Sequence, residues 1–464
     1  MSSTPPFASP SPATRPLHVL RPEDMVAFLA GPGAPWAGWL TATGFEAGLG
    51  ELRLLPGSDG GVAGAVAGYG TAQARRRLRF GVAKAVAGLP AGDWTLEGTL
   101  DLSERTEATL AWLLSAYRFD RYRPGRKPAT LPRLVCPEGL DAARLTAMAT
   151  AEALTRDLIN TPAEDMGPEQ LEAAFLALAA EFGASTEVIR GEDLLARNFP
   201  MIHAVGRASP RAPRLMDLRW GSQGPKLTLV GKGVCFDTGG LNLKPSSGMN
   251  LMKKDMGGAA TVMGLARMIM SLDLAVQLRV LVPAVENAVS GNALKPKDIL
   301  TSRKGLTVEV NDTDAEGRLI LADALAYACE AGPEVLISMA TLTGAARVAV
   351  GPDLAPYYTD DAGLSLALEA GAKAAFDPVW RMPFHDAYES VIEPGIADLD
   401  NAPGYGFAGS VTAALFLRRF VDGPRYMHFD IYGHTPSDQP ARPKGGVGQG
   451  ARAILEGLPA MMKL

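Results

Sequence analysis

The sequence predicts an α/β protein of two domains, a small N-terminal α/β domain and a larger α/β/α domain around a mixed, largely parallel central sheet. Three observations predict this fold class. Short apolar runs alternate with helical patterns from residue 17 to residue 122, and the same alternation resumes on a larger scale from residue 162. Polar clusters also follow directly after several of the later strand-like runs.

The first 16 residues hold five prolines and lack a basic start followed by an apolar run. We therefore predict a disordered tail over residues 1–16 and no signal peptide. The small domain is expected over residues 17–140. A basic, proline-containing segment at 121–128 precedes a predicted connector helix, and with that helix the larger domain is expected over residues 141–464.

The larger domain contains strand-like runs that alternate with helical stretches. They are KLTLV (226–230), LRVLVPAV (278–285), LTVEV (306–310) and EVLISMA (334–340). In such a fold, chemically active residues collect just past the carboxyl ends of the strands, in the loops that precede helices.

Composition narrows the classes of function. The net charge of -5 disfavours a dedicated nucleic-acid or anionic-membrane binder. No stretch of about 20 residues is apolar enough for a membrane span. The three cysteines form no CxxC pair and favour neither a disulfide framework nor a cysteine zinc site. We expect a soluble, cytoplasmic protein.

The first polar loop, GKGVCFDTGGLNLKP, carries Lys232, Asp237 and Lys244 among glycines. A glycine-rich connector with solvated charges is one interpretation. A phosphate-binding P-loop is excluded because the required GxxxxGK[ST] spacing is missing. An aspartic peptidase needs two catalytic carboxylates, and the tripeptide DTG occurs once.

The second loop places Asp255 before a helix of small and apolar residues, where it suits either a helix N-cap or a metal ligand. The third loop, NDTDAEGR, crowds Asp312, Asp314, Glu316 and Arg318 before another helix. Acidity at a helix start is favoured by the helix dipole, so this loop alone is also open to a structural interpretation.

Taken together, the three loops favour a metal centre. They converge on one face of the sheet, where uncompensated carboxylates would repel, and hard oxygen ligands suit divalent cations. All five histidines lie outside these loops and no HExxH occurs, which disfavours a histidine-zinc peptidase. The absence of GxSxG disfavours a serine hydrolase.

In order and spacing, GKGVCFDTGGLNLKP, KKDMGGAA and NDTDAEGRLILADAL closely resemble the signatures of the leucyl aminopeptidase family. The resemblance extends over roughly residue 150 to the C-terminus, through segments such as ATLTGAA and GGVGQGARAIL. The N-terminal third is compatible with the smaller, macro-like domain of that family.

The resemblance implies two divalent ions per subunit, with Zn or Mn favoured and Mg or Co acceptable. It implies that Asp237 and Glu316 bridge the ions and that Asp314 completes one site. Lys232, as a neutral amine, and Asp255 complete the other. The implied catalytic pair is Lys244, which stabilises the oxyanion, and Arg318, which holds a bicarbonate ion as general base.

The resemblance also implies the substrate. Met252, Thr341, Leu342 and Gly344 fall where the family shapes the pocket for the first side chain and presents backbone groups to the peptide. We therefore expect a homohexameric aminopeptidase that acts on peptides with a free N-terminus, preferring Leu or another apolar first residue. On periodicity alone, a Met at position 252 is more often a core-packing residue.

Two positions depart from the family pattern, Asp312 in place of the usual Asn and Thr238 in place of the commoner Ser. Two other functions remain as alternatives. The first is a DNA-binding or regulatory protein on the same scaffold, which the arginines at 75–79 would serve and the acidic composition disfavours. The second is a related dipeptidase or amide hydrolase.

Overall fold

The computed structural model describes residues 7–123, 125 and 130–464, and the contacts within the chain divide the protein into two units. The first unit runs up to Ala153 and includes Ser437–Lys444. The second unit comprises Leu154–Pro436 and Gly445–Leu464. The division predicted at residue 141 stays a prediction. Positions 1–6 of the predicted tail lie outside the described residues, as do positions 124 and 126–128 of the basic segment.

The first unit contains one mixed sheet flanked by helices. Its strands are β1 Arg15–Leu20, β2 Leu52–Pro56, β3 Val62–Gly68, β4 Gly92–Gly98 and β5 Pro132–Leu134, in the order β2-β3-β1-β4-β5. Its helices are α1 Met25–Ala30, α2 Ala37–Ala42, α3 Ala72–Arg77, α4 Val82–Val86 and α5 Leu102–Ser115, and the division between the units falls within α6 Ala142–Asn160. Only β2 runs antiparallel to its neighbour among the described strands of this sheet.

The second unit is built on a larger sheet. The strands of this unit, in the central sheet and in two smaller ones, are β6 Ser185–Arg190, β7 Arg214–Trp220, β8 Lys226–Gly231, β9 Gly233–Asp237, β10 Gln277–Asn287, β11 Ile299–Thr301, β12 Thr307–Glu309, β13 Val335–Ala340, β14 Ala355–Tyr358, β15 Val379–Met382, β16 Leu399–Asp400, β17 Arg425–Asp430, β18 His434–Thr435 and β19 Gly445–Gly446. The central sheet has the order β15-β14-β17-β13-β8-β10-β7-β6, and β9 pairs with β10.

The helices of the second unit cover this sheet. They are α7 Pro168–Glu181, α8 Asp193–Ala196, α9 Pro200–Gly206, α10 Ser246–Met249, α11 Gly257–Ser271, α12 Glu316–Cys329, α13 Gly344–Val350, α14 Ala362–Ala374, α15 Gly409–Arg418 and α16 Ala451–Met462. In α11 and α12 nearly every side chain is buried. Among the described residues, no helix combines the length and apolar character that a membrane span requires.

The direction of the strands confirms the predicted fold class. The middle of the sheet, β17-β13-β8-β10, is parallel, and β14, β7 and β6 join it through antiparallel pairings. One detail differs from the prediction. The LTVEV run forms β12, which pairs with β11 and β16 in a small separate sheet rather than in the central one. Its alternation cannot reveal which partner it pairs with.

Candidate metal centre

The candidate site lies at the carboxyl edge of the parallel strands of the second unit. Lys232 directly follows β8, and its backbone N–H donates to the Met339 carbonyl of β13 at 3.0 Å. Asp237 ends β9, Asp255 precedes α11, and Glu316 is the first residue of α12. Lys232 and Asp237 meet here because parallel strands end at the same edge, and the starts of α11 and α12 bring Asp255 and Glu316 to that edge.

Three carboxylates form the centre of the site. One oxygen from each of Asp237, Asp255 and Glu316 lies within 4.8 Å of the others, and all three residues are buried. Burial and the neighbouring charge of Asp237 raise the pKa of Glu316 well above its ordinary value. Like charges held this close without water are unfavourable unless cations compensate them.

Asp314 lies at the edge of the same cluster. Burial, followed by the charge of Asp237, raises the pKa of Asp314 to about 7. Asp314 Oδ1 faces the ammonium group of Lys244, whose Nζ is also 2.7 Å from Asp237 Oδ2. Burial opposes protonation of Lys244, but the carboxylates of Asp237 and Asp314 outweigh it and raise the Lys244 pKa.

Lys232 is buried inside the cluster. Its Nζ lies 2.7 Å from Asp255 Oδ2 and 3.0 Å from Glu316 Oε1, and it donates to the Thr341 carbonyl at 3.2 Å. Burial acts to lower the pKa of Lys232, while Asp255, Glu316 and Asp237 raise it above its ordinary value. The protein's own charges thus favour an ammonium, and the neutral amine predicted for Lys232 requires cations at the carboxylates.

The donor set fits divalent cations. Among the described residues, three buried carboxylate oxygens have no hydrogen-bond partner apart from a lysine ammonium, namely Asp255 Oδ2, Asp314 Oδ1 and Glu316 Oε1. A buried carboxylate oxygen without a hydrogen bond is costly, and each of these three faces a lysine ammonium instead. Hard oxygen atoms in this arrangement are the ligands that divalent metal ions prefer.

Asn287, which was missed from the sequence, and Thr341, which was predicted only to contact the substrate, hold these carboxylates in place. Asn287 Nδ2 donates to Asp237 Oδ1 at 2.9 Å and to the Thr313 carbonyl at 3.0 Å. Thr341 Oγ1 donates to Asp255 Oδ1 at 2.8 Å. Asn287 ends β10 directly opposite Asp237 of β9. A polar residue closing a long apolar strand was the available signal.

Two glycines allow the close packing of this site. A Cβ on Gly317 would lie 2.5 Å from Lys232 Cε and 2.6 Å from its Nζ, so the first turn of α12 can approach Lys232 only without a side chain. Gly239 has φ +89°, a conformation that L side chains rarely adopt. Its N–H donates to Asp237 Oδ1 at 2.8 Å and so fixes that carboxylate.

Arg318 is buried next to the carboxylate cluster. One guanidinium nitrogen donates to the Asn401 carbonyl, and burial lowers the pKa of Arg318. Over the described residues, Arg318 forms no ion pair, and the carboxylates of the neighbouring acidic loop pair with Lys232 and Lys244 instead. Its remaining N–H groups are free to bind an anion in the cleft.

The two departures from the family pattern have structural roles. Asp312 Oδ1 accepts the backbone N–H of Asp314 at 2.8 Å and so closes the turn that carries Asp314. Thr238 Oγ1 donates to the Asn287 carbonyl at 2.9 Å and accepts the N–H of Gly240 at 3.1 Å. The hydrogen bonds of both residues stabilise loops. The oxygen of an Asn side chain at position 312, or of a Ser side chain at position 238, provides the same acceptor.

A cleft of about 540 Å³ opens over the carboxylate cluster. Its walls include all four residues predicted to contact the substrate, Met252, Thr341, Leu342 and Gly344. The cleft also contains Lys254, Arg347 and Tyr432, which the sequence analysis did not single out. Burial lowers the pKa of Lys254 to about 8.

The arginines considered for DNA binding are partly engaged in the first unit. Arg75 lies 4.4 Å from the Tyr69 ring centroid and 3.8 Å from Glu104 Oε1. Arg76 and Arg77 are exposed on α3. A short exposed pair of this kind is typical of a solvated helix face and does not favour a dedicated DNA surface.

Comparison with known proteins identifies the family. Residues 153–455 match the catalytic domain of the cytosol aminopeptidase family, and residues 15–137 match the N-terminal domain of the M17 aminopeptidases. A probable cytosol aminopeptidase of Leifsonia xyli is 39% identical over 458 residues, covering 93% of this chain and 91% of the relative. One from Caulobacter vibrioides is 38% identical over 371 residues, covering 76% and 75%.

Solved structures agree with this. The crystal structure of a cytosol aminopeptidase from Coxiella burnetii is 41% identical and superimposes with a TM-score of 0.91, covering 97% of this chain and 98% of its own. The bottromycin maturation enzyme BotP, in complex with Mn, is 30% identical with a TM-score of 0.87 over 97% of this chain and all of its own. Fold, site and sequence together assign this chain to the cytosol aminopeptidase family.

Proposed function

We propose that the chain is a metal-dependent aminopeptidase that uses two divalent ions to remove the first residue of a peptide. The observation that carries this proposal is the buried cluster of Asp237, Asp255 and Glu316, whose oxygens lie within 4.8 Å of one another at the carboxyl edge of the sheet. Membership of the cytosol aminopeptidase family supports peptides as substrates.

The family resemblance gives the assignment of ligands. Asp237 and Glu316 would be shared by both ions, Asp314 would complete one site, and Lys232 with Asp255 the other. The buried oxygens without hydrogen bonds support this assignment. Two bound divalent ions supply a water molecule of lowered pKa and an anchor for the substrate's free amino group.

The protein's own cations supply the rest of the chemistry. Lys244 projects its ammonium into the cleft beside Asp237 and Asp314. Once those carboxylates are neutralised, this charge is available to stabilise the oxyanion that develops on the scissile carbonyl. Arg318 would hold bicarbonate as general base through the guanidinium N–H groups that do not bond Asn401.

The cleft wall supports a preference for Leu or another apolar first residue. Met252 and Leu342 are apolar residues of its wall, and Thr341 and Gly344 also line it, where the family resemblance implies that backbone groups bind the peptide. Mn is a favoured metal because the related BotP is described in complex with it. Zn is equally favoured for such a site, and Mg and Co are acceptable. We further propose a homohexamer acting in the cytoplasm.

The experiment starts from protein stripped of metal with a chelator and then supplied with Mn or Zn. Leucyl, methionyl and other aminoacyl anilides are compared with their N-acetylated forms and with dipeptides. We expect metal-dependent cleavage of substrates with a free amine only. Cleavage of blocked substrates would favour another amide hydrolase, restriction to dipeptides would favour a dipeptidase, and activity that survives complete metal removal would refute the proposal.

Variants test the ligand assignment. Glu316→Gln keeps the size of the side chain and removes its charge, and Asp255→Asn does the same at the second position. Each should abolish turnover and lower the bound metal measured by inductively coupled plasma mass spectrometry, with circular dichroism unchanged. Glu330→Gln, an exposed residue at the C-terminal end of α12, serves as the matched control.

A further inference from the structure

A pair of cations lies over one aromatic ring in the wall of the cleft. Lys254 ends the short helical turn Met252–Lys254 and directly precedes Asp255, Arg347 lies in α13, and Tyr432 follows β17. The Lys254 Nζ is 4.8 Å from the centroid of the Tyr432 ring, and the Arg347 Cζ is 4.9 Å from the same centroid.

Lys254 is buried and lacks an anionic partner. Only 6% of the residue is exposed. Across residues 7–123, 125 and 130–464, its ammonium forms no ion pair and no hydrogen bond, and the face of the Tyr432 ring is its polar contact. Burial of an ammonium removes its hydration free energy, and a cation–π contact with an aromatic ring recovers only a fraction of that free energy.

Arg347 increases the positive charge at the same place. Its guanidinium lies over Tyr432 and, within the described part of the chain, has no carboxylate partner either. The other lysines of the cleft differ, because Lys232 and Lys244 each contact two carboxylates. The cleft therefore has one wall where positive charge is balanced and another where it is not.

The unbalanced wall adjoins the residues predicted to surround the first side chain of the substrate. Lys254 is two positions from Met252, and Arg347 is one helical turn from Gly344. A carboxylate entering here would meet an ammonium and a guanidinium, both of which form strong charge-assisted hydrogen bonds with it. An apolar side chain would leave both cations without a partner.

We propose that Lys254 and Arg347 form a subsite that binds a carboxylate of the peptide substrate, an inference that rests on the proposed aminopeptidase function. The side-chain carboxylate of an N-terminal Glu or Asp fits the position of the subsite. The C-terminal carboxylate of a dipeptide has the same chemistry. If the side chain supplies the carboxylate, the chain accepts acidic first residues in addition to apolar ones.

The test compares substrates that differ by one charge. Glutamyl and glutaminyl 7-amido-4-methylcoumarin are nearly equal in size, and neither has a C-terminal carboxylate. The readout is the ratio of their kcat/KM values, so that a general loss of activity cancels. Lys254→Met and Arg347→Met should each lower the glutamyl to glutaminyl ratio by about tenfold to a hundredfold, the range for one charge-assisted hydrogen bond. Lys373→Met, an exposed lysine of α14, is the control.

A second pair of substrates identifies the source of the carboxylate. If the ratio for Leu-Gly over Leu-Gly amide falls in both variants while the glutamyl ratio does not, the subsite binds the C-terminal carboxylate. If neither ratio changes in either variant, the proposal is refuted. Because Arg347 is exposed, Arg347→Met should fold normally even if Lys254→Met does not.

A binding measurement separates this inference from the proposed function. Should the metal-loaded protein cleave no aminoacyl substrate, the proposed function fails, and the subsite is then judged by calorimetry with free glutamate and glutamine. Tighter binding of glutamate that is lost in Arg347→Met supports the subsite. Equal affinities in the unaltered protein overturn it.

Discussion

At the residue scale, the site places side chains of opposite charge so that each controls its neighbour's protonation. Lys232 and Lys244 occupy the gaps between carboxylates that would otherwise repel. The neutral hydrogen-bond donors Asn287 and Thr341 orient the same carboxylates without adding charge. The two kinds of contact have different uses. The neutral donors fix the orientation of each carboxylate, while a lysine ammonium can be displaced from it when a metal ion binds.

Asp312 provides a test of charge against geometry. Its Oδ1 accepts the Asp314 N–H at 2.8 Å, a role that an amide oxygen fills equally well. Asp312→Asn should therefore keep a kcat/KM close to that of the unaltered protein. Asp312→Ala should lose about tenfold, the equivalent of one hydrogen bond. If the two variants lose activity equally, activity depends on the charge of Asp312 and not on the hydrogen bond that closes the turn.

At the element scale, helix starts and strand ends define the site. The first turn of α12 carries Glu316 and Arg318, and its Gly317 packs directly on Lys232. The start of α11 follows Asp255 in the same way. The start of each helix therefore brings functional side chains to the sheet edge, and the rest of the helix packs into the core.

Gly317→Ala tests this packing. Alanine favours the helix by about 1 kcal/mol, yet its Cβ would lie 2.5 Å from Lys232 Cε. We expect turnover to fall about tenfold to a hundredfold, because Lys232 must move within the centre. Steady-state kinetics and metal titration measure the effect. Gly38→Ala in α2 is the control, since a Cβ there meets nothing within 4 Å. Normal activity in Gly317→Ala would contradict the packing argument.

Asp323 shows how one helix supports the start of another. From within α12, its Oδ2 accepts the N–H groups of Met201 at 2.8 Å and Ile202 at 3.3 Å, which begin α9. Its Oδ1 accepts the Arg303 N–H at 2.8 Å.

Asp323→Ala should lower the free energy of unfolding by about 3 kcal/mol, because buried N–H groups lose their acceptor. Asp323→Asn should lose less, since it keeps one acceptor oxygen. Urea unfolding followed by circular dichroism measures both. An unchanged midpoint in Asp323→Ala would show that water or a neighbour replaces the cap.

At the scale of the whole molecule, folding and metal binding are linked. The carboxylate cluster is buried in the second unit, so an uncompensated charge there opposes the folded state, and bound cations favour it. Free metal at about 1,000 times its dissociation constant should stabilise the protein by about 4 kcal/mol. Differential scanning fluorimetry with and without chelator measures this shift.

Asp314 contributes to the pH dependence of the metal-free protein. Its pKa is about 3.9 in the unfolded chain and is raised to about 7 in the folded one. The folded state thus holds the proton more tightly, so this stabilisation is full below pH of about 4 and is lost as the pH rises through about 7.

The stability of chelator-treated protein should therefore fall from pH of about 5 to about 7, as measured by urea unfolding. Saturating Mn should reduce the slope, because the Asp314 carboxylate is then ionised in both states. Asp314→Asn should reduce the slope without metal. The same slope in Asp314→Asn would assign the effect to another group.

Much of this molecule can be predicted from the sequence because parallel α/β folds leave strong local signals. The runs that form β8, β10 and β13 alternate with helices. Lys232 directly follows β8, and Asp237 ends β9. That pattern predicts both the sheet and the edge at which Lys232 and Asp237 lie. The spacing of the three motifs then identifies the family.

Pairings across long distances were decided by the tertiary structure alone. The LTVEV run reads as a strand, but only the fold shows that β12 joins β11 and β16 outside the central sheet. Asn287 and Lys254 have only weak local signals, since Asn287 is a polar residue at a strand end and Lys254 lies beside the predicted ligand Asp255. Their roles depend on Asp237 and Tyr432, which are far away in the sequence. Sequence determines which residue types are available, whereas burial and mutual distance, which set charge and chemistry, exist only once the chain has folded.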